Sequence, residues 1–224
     1  MGAHRFFTTA RLSAKATVEL TGPEHHHLKN VRRLTLGSQV TLIDGKGSIA
    51  QARIDQIDRN STHLHVATTE TAPSPKHCWT LGLALIRPKL LELAIEKGIE
   101  LGIDRFLLFP ADYSEARPPS DERLEAICIG ALKQSGRLFL PEIAHAKRLE
   151  IPDEPSFFGS LEPVAKPLSK LPQRATFFIG PEGGFSQEEL ELLAQSGPIY
   201  LGPHILRAET AAIALAAQVA ALSI

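Results

Sequence analysis

Cysteine, tryptophan, tyrosine and methionine are all scarce: two, one, two and one in 224 residues. Cys78 and Cys128 make neither a metal-ligand spacing nor a disulfide framework, so both read as buried free thiols. No metal site is expected. Neither sign of charge dominates: 24 Lys and Arg face 25 Asp and Glu, a formal net charge of -1. That excludes a chain that binds nucleic acid through overall basicity. Long apolar runs are missing too. The longest, from Ala211 towards Ile224, is interrupted by Gln218 and is too short to span a bilayer. Met1-Gly2-Ala3-His4-Arg5 leads into no long apolar stretch, so no signal peptide is expected. These absences leave a soluble, cytoplasmic protein as the expectation. No internal repeat is visible.

The charge is uneven along the chain. Residues 1–75 hold nine Lys and Arg against six Asp and Glu, and six of the nine histidines. Residues 76–224 are net acidic. A mildly basic, His-rich front is compatible with a surface that contacts phosphate.

Two kinds of pattern divide the chain. Up to about residue 70, Val18-Glu19-Leu20, Gln39–Ile43, Ala50–Ile54 and His63–Val66 alternate apolar and polar residues, which predicts strands. Asp44-Gly45-Lys46-Gly47 predicts a hairpin turn. Glu24 to Leu34 is the one helical stretch, and Thr68–Lys76, with Pro73 and Pro75, reads as a linker. From Trp79 the pattern becomes strand and helix in alternation. Strands are predicted at Thr80–Ile86, Arg105–Phe109, Thr176–Ile179 and Ile199–Leu201. Helices are predicted from Pro88 to Gly102, after Ser120, after the capping box Ser186-Gln187-Glu188-Glu189, and from Glu209 onward. Residues 150–172, rich in Pro and Ser, read as a long connection. Such alternation predicts an α/β domain with a mainly parallel sheet.

Three segments at strand ends carry chemical interest. In Ile179-Gly180-Pro181-Glu182-Gly183-Gly184-Phe185 a buried strand ends in a glycine-rich loop before a capped helix. Ligands of open α/β sheets bind beyond such strand ends. Taken alone, such a loop is more often a simple turn. It has neither the Gly-Lys-Ser/Thr of a Walker loop nor the Gly-x-Gly-x-x-Gly dinucleotide fingerprint, which argues against a nicotinamide enzyme. In Leu201-Gly202-Pro203-His204-Ile205-Leu206, the two aliphatic residues either plug the core or wall a pocket. Arg207, before Ala208-Glu209-Thr210-Ala211, either pairs with Glu182 or Glu209 or neutralises negative charge on a base or phosphate. The alanine-rich helix that follows is apolar on almost every side, as for burial within the domain or across a dimer.

Taken jointly, Ile179–Phe185, Leu201–Ala211, Ile95–Gly102 and Gln134–Arg137 resemble the bacterial 16S ribosomal RNA uracil-N3 methyltransferases, the small-subunit methyltransferase E family of the SPOUT class. His4-Arg5-Phe6-Phe7, His27 and Val31-Arg32-Arg33-Leu34 resemble that family's front domain. The resemblance covers nearly the whole chain. It implies an N-terminal PUA-like β-barrel, residues 1–71, that binds RNA, and a SPOUT α/β domain, residues 76–224, with a C-terminal trefoil knot. It implies S-adenosylmethionine as cofactor, held at Ile179, Gly180, Glu182, Gly184, Leu201, Gly202, Ile205, Leu206, Thr210 and Ala211. The partners implied are a second copy of the chain, as a homodimer, and 16S ribosomal RNA or the small ribosomal subunit.

On that reading the reaction is methyl transfer to N3 of a uridine. Arg207 is the expected catalytic residue, stabilising charge on the base. Glu209 is expected to orient it or to accept the N3 proton, with Glu182 as the other carboxylate available. Arg5, Arg11, Lys29, Arg33, Lys133 and Arg137 are the expected RNA contacts. The alternatives are another SPOUT methyltransferase, acting on transfer RNA or a ribose 2′-oxygen, and a non-catalytic RNA-binding dimer. Several positions depart from the family pattern: Arg32, Lys97-Gly98-Ile99-Glu100, Lys133, His204 and Ala208. None removes the two loops.

Overall fold

The structure, a computed structural model, describes residues 4–114 and 116–223. These fall into two compact units. One holds the chain up to Ser74 together with Leu132–Leu140; the other holds Pro75–Ala131 and Pro141 onward.

The first unit is a five-stranded sheet. Its strands are β1 (Arg5–Phe7), β2 (Thr17–Thr21), β3 (Gln39–Ile43), β4 (Ser48–Ile57) and β5 (Ser61–Thr71), in the order β1-β3-β4-β5-β2. Alternate residues face inward, as in β2, where Val18 and Leu20 are buried and their neighbours exposed. They meet Phe6, Leu28, Val40, Leu42, Ile54, Leu64 and Val66 in one apolar core. The predicted hairpin turn joins β3 to β4, with Asp44 Oδ1 accepting the N–H groups of Lys46 and Ser48 at 2.8 and 2.9 Å. Leu138 and Leu140 hydrogen-bond to the same turn, at Gly47 and Gly45. The strands pair in an open strip: no ladder joins β1 to β2 among the described residues.

Local expectations need correcting here. The predicted helix over Glu24–Leu34 is a short α1 (Gly22–His26) that widens into a π-helical turn, His27–Val31. Arg33, at φ 54°, ends it. The predicted linker begins later than Thr68, because β5 continues along β4 until Thr71 pairs with Ser48. Strand β1 is too short for periodicity to reveal and gains its ladder from β3, in parallel.

The second unit alternates strand and helix: β6 (Cys78–Ala84), α2 (Pro88–Glu100), β7 (Arg105–Phe109), α3 (Asp121–Ser135), β8 (Glu142–His145), β9 (Ser156–Ser160), β10 (Arg174–Ile179), α4 (Gln187–Leu193), β11 (Gly197–Tyr200) and α5 (Ala208–Leu222). The last turn of α3, from Leu132, belongs to the first unit. The sheet runs β11-β9-β10-β6-β7-β8, and every adjacent pair is parallel. β6 and β10 are buried nearly end to end, as expected of parallel strands covered on both faces. Pro88 opens α2, whose apolar stripe of Leu91, Ala94, Ile95 and Ile99 is buried. The capping box of α4 forms as predicted, with Ser186 and Glu189 exchanging side-chain bonds.

The main correction in this unit is β9. It lies inside the stretch predicted to be a connection, yet it pairs with both β10 and β11. Five residues, Ser-Phe-Phe-Gly-Ser, are too few to show a period, and the flanking prolines read as loop. Two neighbouring ladders make it a strand. β8 likewise escapes prediction, being a four-residue edge strand.

Candidate functional site

Because β11, β9 and β10 are adjacent and parallel, their carboxyl ends open at one edge of the sheet. Gly159, Ser160 and Leu161 come from the end of β9, Ile179 to Phe185 from the end of β10 and its loop, and Leu201, Gly202, His204, Ile205 and Leu206 from the segment after β11. With Ala208 and Ala211 of α5 they enclose a cavity of about 340 Å³. That volume lies within the roughly 300–1,000 Å³ of small-molecule sites.

The loop after β10 is held by its own hydrogen bond, Gly184 N–H to Pro181 C=O at 2.9 Å. Gly184 has φ 75°, a conformation only glycine adopts without strain. The Phe185 ring folds back over Gly180 and meets Phe158 edge-on, with centroids 6.5 Å apart. The walls are thus aliphatic and aromatic, while glycines leave backbone open to a ligand.

A second turn braces this loop. Glu189, only 5 % exposed, accepts the Asp112 N–H at 3.1 Å and the Ser186 N–H at 2.9 Å. Ser186 Oγ also donates to the Asp112 carboxylate. A buried carboxylate at the start of α4 is therefore satisfied by hydrogen bonds, as buried charge requires. It ties residues 111–114, after β7, to the glycine loop.

Nine of the ten cofactor candidates line the cavity: Ile179, Gly180, Glu182, Gly184, Leu201, Gly202, Ile205, Leu206 and Ala211. Thr210 does not; it lies between Ala208 and Ala211 on the first turn of α5 and is exposed. Sequence reasoning missed Gly159, Ser160 and Leu161 because it missed β9. Gly159 is needed there: a methyl group on it would lie 2.8 Å from Leu201 Cδ1 and 3.0 Å from Ile179 Cδ1.

Arg207 and Glu209 flank the cavity without lining it. Arg207 is exposed and caps the start of α5 without a side-chain bond. Among the described residues it makes no ion pair with Glu182 or Glu209, so the expected orienting contact is not formed. Glu209 is 7 % exposed, and its Oε2 is buried without a hydrogen-bond partner.

The RNA candidates separate by their bonding. Lys133 Nζ sits 2.5 Å from Glu24 Oε1, with both side chains largely covered. Arg5 donates to the Lys133 carbonyl at 3.4 Å, and Lys29 to the Asp58 carbonyl at 2.7 Å. Arg137 is half-buried. Arg11 and Arg33 are exposed. Near Lys133, burial lowers the His27 imidazole pKa, and the charges of Lys133 and Arg32 lower it further. Arg32 Nε donates to His27 Nε2 at 3.1 Å, which fits the neutral ring. Among the described residues, no group of three His, Cys, Asp or Glu is placed to hold a metal ion. Among the described residues no helix is long and apolar enough to cross a membrane.

Comparison with known proteins bears on both units. Residues 72–220 match a family described as RNA methyltransferase domain, and residues 20–66 one described as RNA methyltransferase PUA domain. The ribosomal RNA small subunit methyltransferase E of Rickettsia conorii is 32 % identical over 98 % of this chain and 96 % of its own. The crystal structure of that enzyme from Neisseria gonorrhoeae, bound to S-adenosylmethionine, has a TM-score of 0.84 at 25 % identity, covering 96 % of each chain. A Legionella pneumophila methyltransferase structure superposes with a TM-score of 0.89 over 99 % of this chain and 98 % of its own; at 24 % identity it shows the shared fold.

Proposed function

Since the chain belongs to the ribosomal RNA small subunit methyltransferase E family, we propose that it methylates N3 of one uridine of 16S ribosomal RNA, with S-adenosylmethionine as methyl donor. The observation that carries the cofactor is the cavity at the ends of β9, β10 and β11. Its aliphatic walls, Ile179, Leu201 and Leu206, suit an adenine ring, and its glycine-rich loops leave backbone free to bond polar groups. The relative from Neisseria gonorrhoeae was solved with this cofactor.

The cofactor supplies an activated methyl group, so the protein's work is positioning and charge handling. The loop 180–185 and the segment 201–206 would hold and orient the donor. N3 of uracil must lose its proton, and negative charge then spreads to O2 and O4. Arg207 lies between Leu206 and Ala208, both on the cavity wall, and its exposed guanidinium is our candidate for that charge. Glu209 has a buried oxygen with no partner. It is the carboxylate available beside Arg207, either to orient that guanidinium in the loaded site or to accept the N3 proton.

Two features of architecture go with this reading. The C-terminal segment would form a trefoil knot; its support is that the chain leaves β11, at one edge of the sheet, and returns as α5 to pack on α2 and reach β10 and β6. The active form would be a homodimer; its support is an α5 whose Ala217, Ala221 and Leu222 remain exposed. Arg11 and Arg33, both exposed in the unit whose residues 20–66 match the PUA family, are our candidates for RNA contact.

Deleting the gene and measuring modified nucleosides of 16S ribosomal RNA by mass spectrometry tests the reaction. We expect loss of N3-methyluridine, restored by the wild-type gene. Restoration by Arg207→Ala would remove Arg207 from the chemistry. An unchanged N3-methyluridine level would sink the assignment, and loss of a ribose-methylated or transfer-RNA nucleoside would point to another target. A chain that binds RNA with no affinity for S-adenosylmethionine would be the non-catalytic dimer.

A further inference from the structure

We propose that Tyr113 is the stacking platform for the extruded substrate base. The inference rests on the methyl-transfer reading above and adds to it the residue that receives the base. Among the described residues Tyr113 is the only exposed Phe, Trp or Tyr, at 55 %. Its hydroxyl forms no hydrogen bond among those residues. It sits on the turn after β7, at the same sheet edge as the cavity.

That turn is fixed at every residue around the ring. Ala111 N–H donates to Ser114 Oγ at 3.1 Å, and Ser114 N–H to the Ala111 carbonyl at 2.9 Å. Asp112 is tied to Glu189 and Ser186, as described above. The side chain of Tyr113 lies across Gly183, which lines the cavity. A methyl group on Gly183 would be 3.0 Å from Tyr113 Cβ and 3.4 Å from Cγ and Cδ2. Glycine at 183 thus lets an aromatic ring stand directly against the cavity wall, while much of that ring stays in water.

The chemistry needs such a surface. N3 of uracil is on the pairing edge, so the base must leave its stack before a methyl group can reach it. An enzyme recovers the lost stacking with an aromatic face, and a face already held by hydrogen bonds loses little conformational entropy on binding. On the opposite segment Ile205 is 85 % exposed but has no π-face, and the exposed His204 beside it presents a smaller ring than Tyr113.

The test uses small ribosomal subunits from cells that lack the gene as substrate, and tritiated S-adenosylmethionine. Removal of one base–aromatic stack should raise the KM for subunits in Tyr113→Ala by about tenfold. The Kd for S-adenosylmethionine, by calorimetry, should stay within about twofold, because no cavity wall is removed. Tyr113→Phe should rescue the KM, since stacking needs only the ring. Independently of activity, reconstituted subunits whose 16S RNA carries 5-iodouridine should crosslink to Tyr113 under long-wavelength light. An unchanged KM in Tyr113→Ala, an equal rise in Tyr113→Phe, loss of S-adenosylmethionine binding in the alanine variant, or crosslinks confined to other residues would each overturn the proposal. A wild-type chain that transfers no methyl to these subunits would instead overturn the reading beneath it.

Discussion

Glu24 and Lys133, 109 residues apart in the chain, meet at 2.5 Å inside the first unit. The other oxygen of Glu24 accepts the Phe7 N–H at 3.0 Å. One carboxylate therefore joins α1, β1 and the end of α3.

This pair sets a stability prediction. Glu24→Gln leaves the Lys133 ammonium largely covered and without its counter-charge. Charged hydrogen bonds of this kind contribute about 1.5–3 kcal/mol, and stranding a covered partner adds to the loss. We expect urea unfolding of Glu24→Gln to be about 2 kcal/mol less favourable to the fold than wild type. Lys133→Met should lose a comparable amount, because it strands the equally covered Glu24 carboxylate even though methionine keeps the apolar packing. A double-mutant cycle should return a coupling of at least about 1 kcal/mol. Additive single effects would make the pair a surface contact and return Lys133 to the pool of free RNA-binding cations.

The cavity sets a binding prediction. Ala211 lines it from the first turn of α5, where a small side chain leaves room for a ligand. Ala211→Leu adds three carbons into that space. We expect the Kd for S-adenosylmethionine to rise by at least about tenfold, with circular dichroism unchanged, since a residue already half-exposed can be enlarged without disturbing the core. Thr210→Leu, one residue away but outside the cavity, is the control and should bind with wild-type affinity. Equal loss in both would mean that α5 is simply destabilised.

How much of this was legible beforehand follows from the physics of each element. The capping box at Ser186, the proline at the start of α2 and the glycine loop after β10 are local devices, and each is where the sequence placed it. β9 is not local. Its five residues become a strand only between β10 and β11, so Gly159–Leu161, one wall of the cavity, stayed hidden. The Glu24–Lys133 pair was hidden for the same reason: nothing in the sequence brings Glu24 to a lysine 109 residues away. The Arg207 and Glu209 side chains were legible as polar groups at a helix start, but their failure to pair was not.

Cys128 sets the pH prediction. It is 2 % exposed on the inner face of α3, and burial, with a smaller contribution from Glu125, pushes its thiol from an ordinary value of 9.0 up to about 11. The folded state therefore holds the proton in a range where the unfolded chain releases it. The resulting stabilisation is complete below about pH 9 and is lost as pH rises through about 11. Each pKa unit corresponds to about 1.4 kcal/mol, so full titration removes on the order of 2–3 kcal/mol. Cys128→Ala starts from a lower stability because it opens a small cavity, but it lacks this ionisation. We expect the wild-type Tm to fall more steeply than that of Cys128→Ala between pH 9 and 11, so the two curves converge. Parallel curves would show that the thiol ionises no later in the fold than outside it. Below pH 9, Cys128 should resist alkylation in the native protein and react only on unfolding, because the thiolate is the nucleophile and burial withholds it.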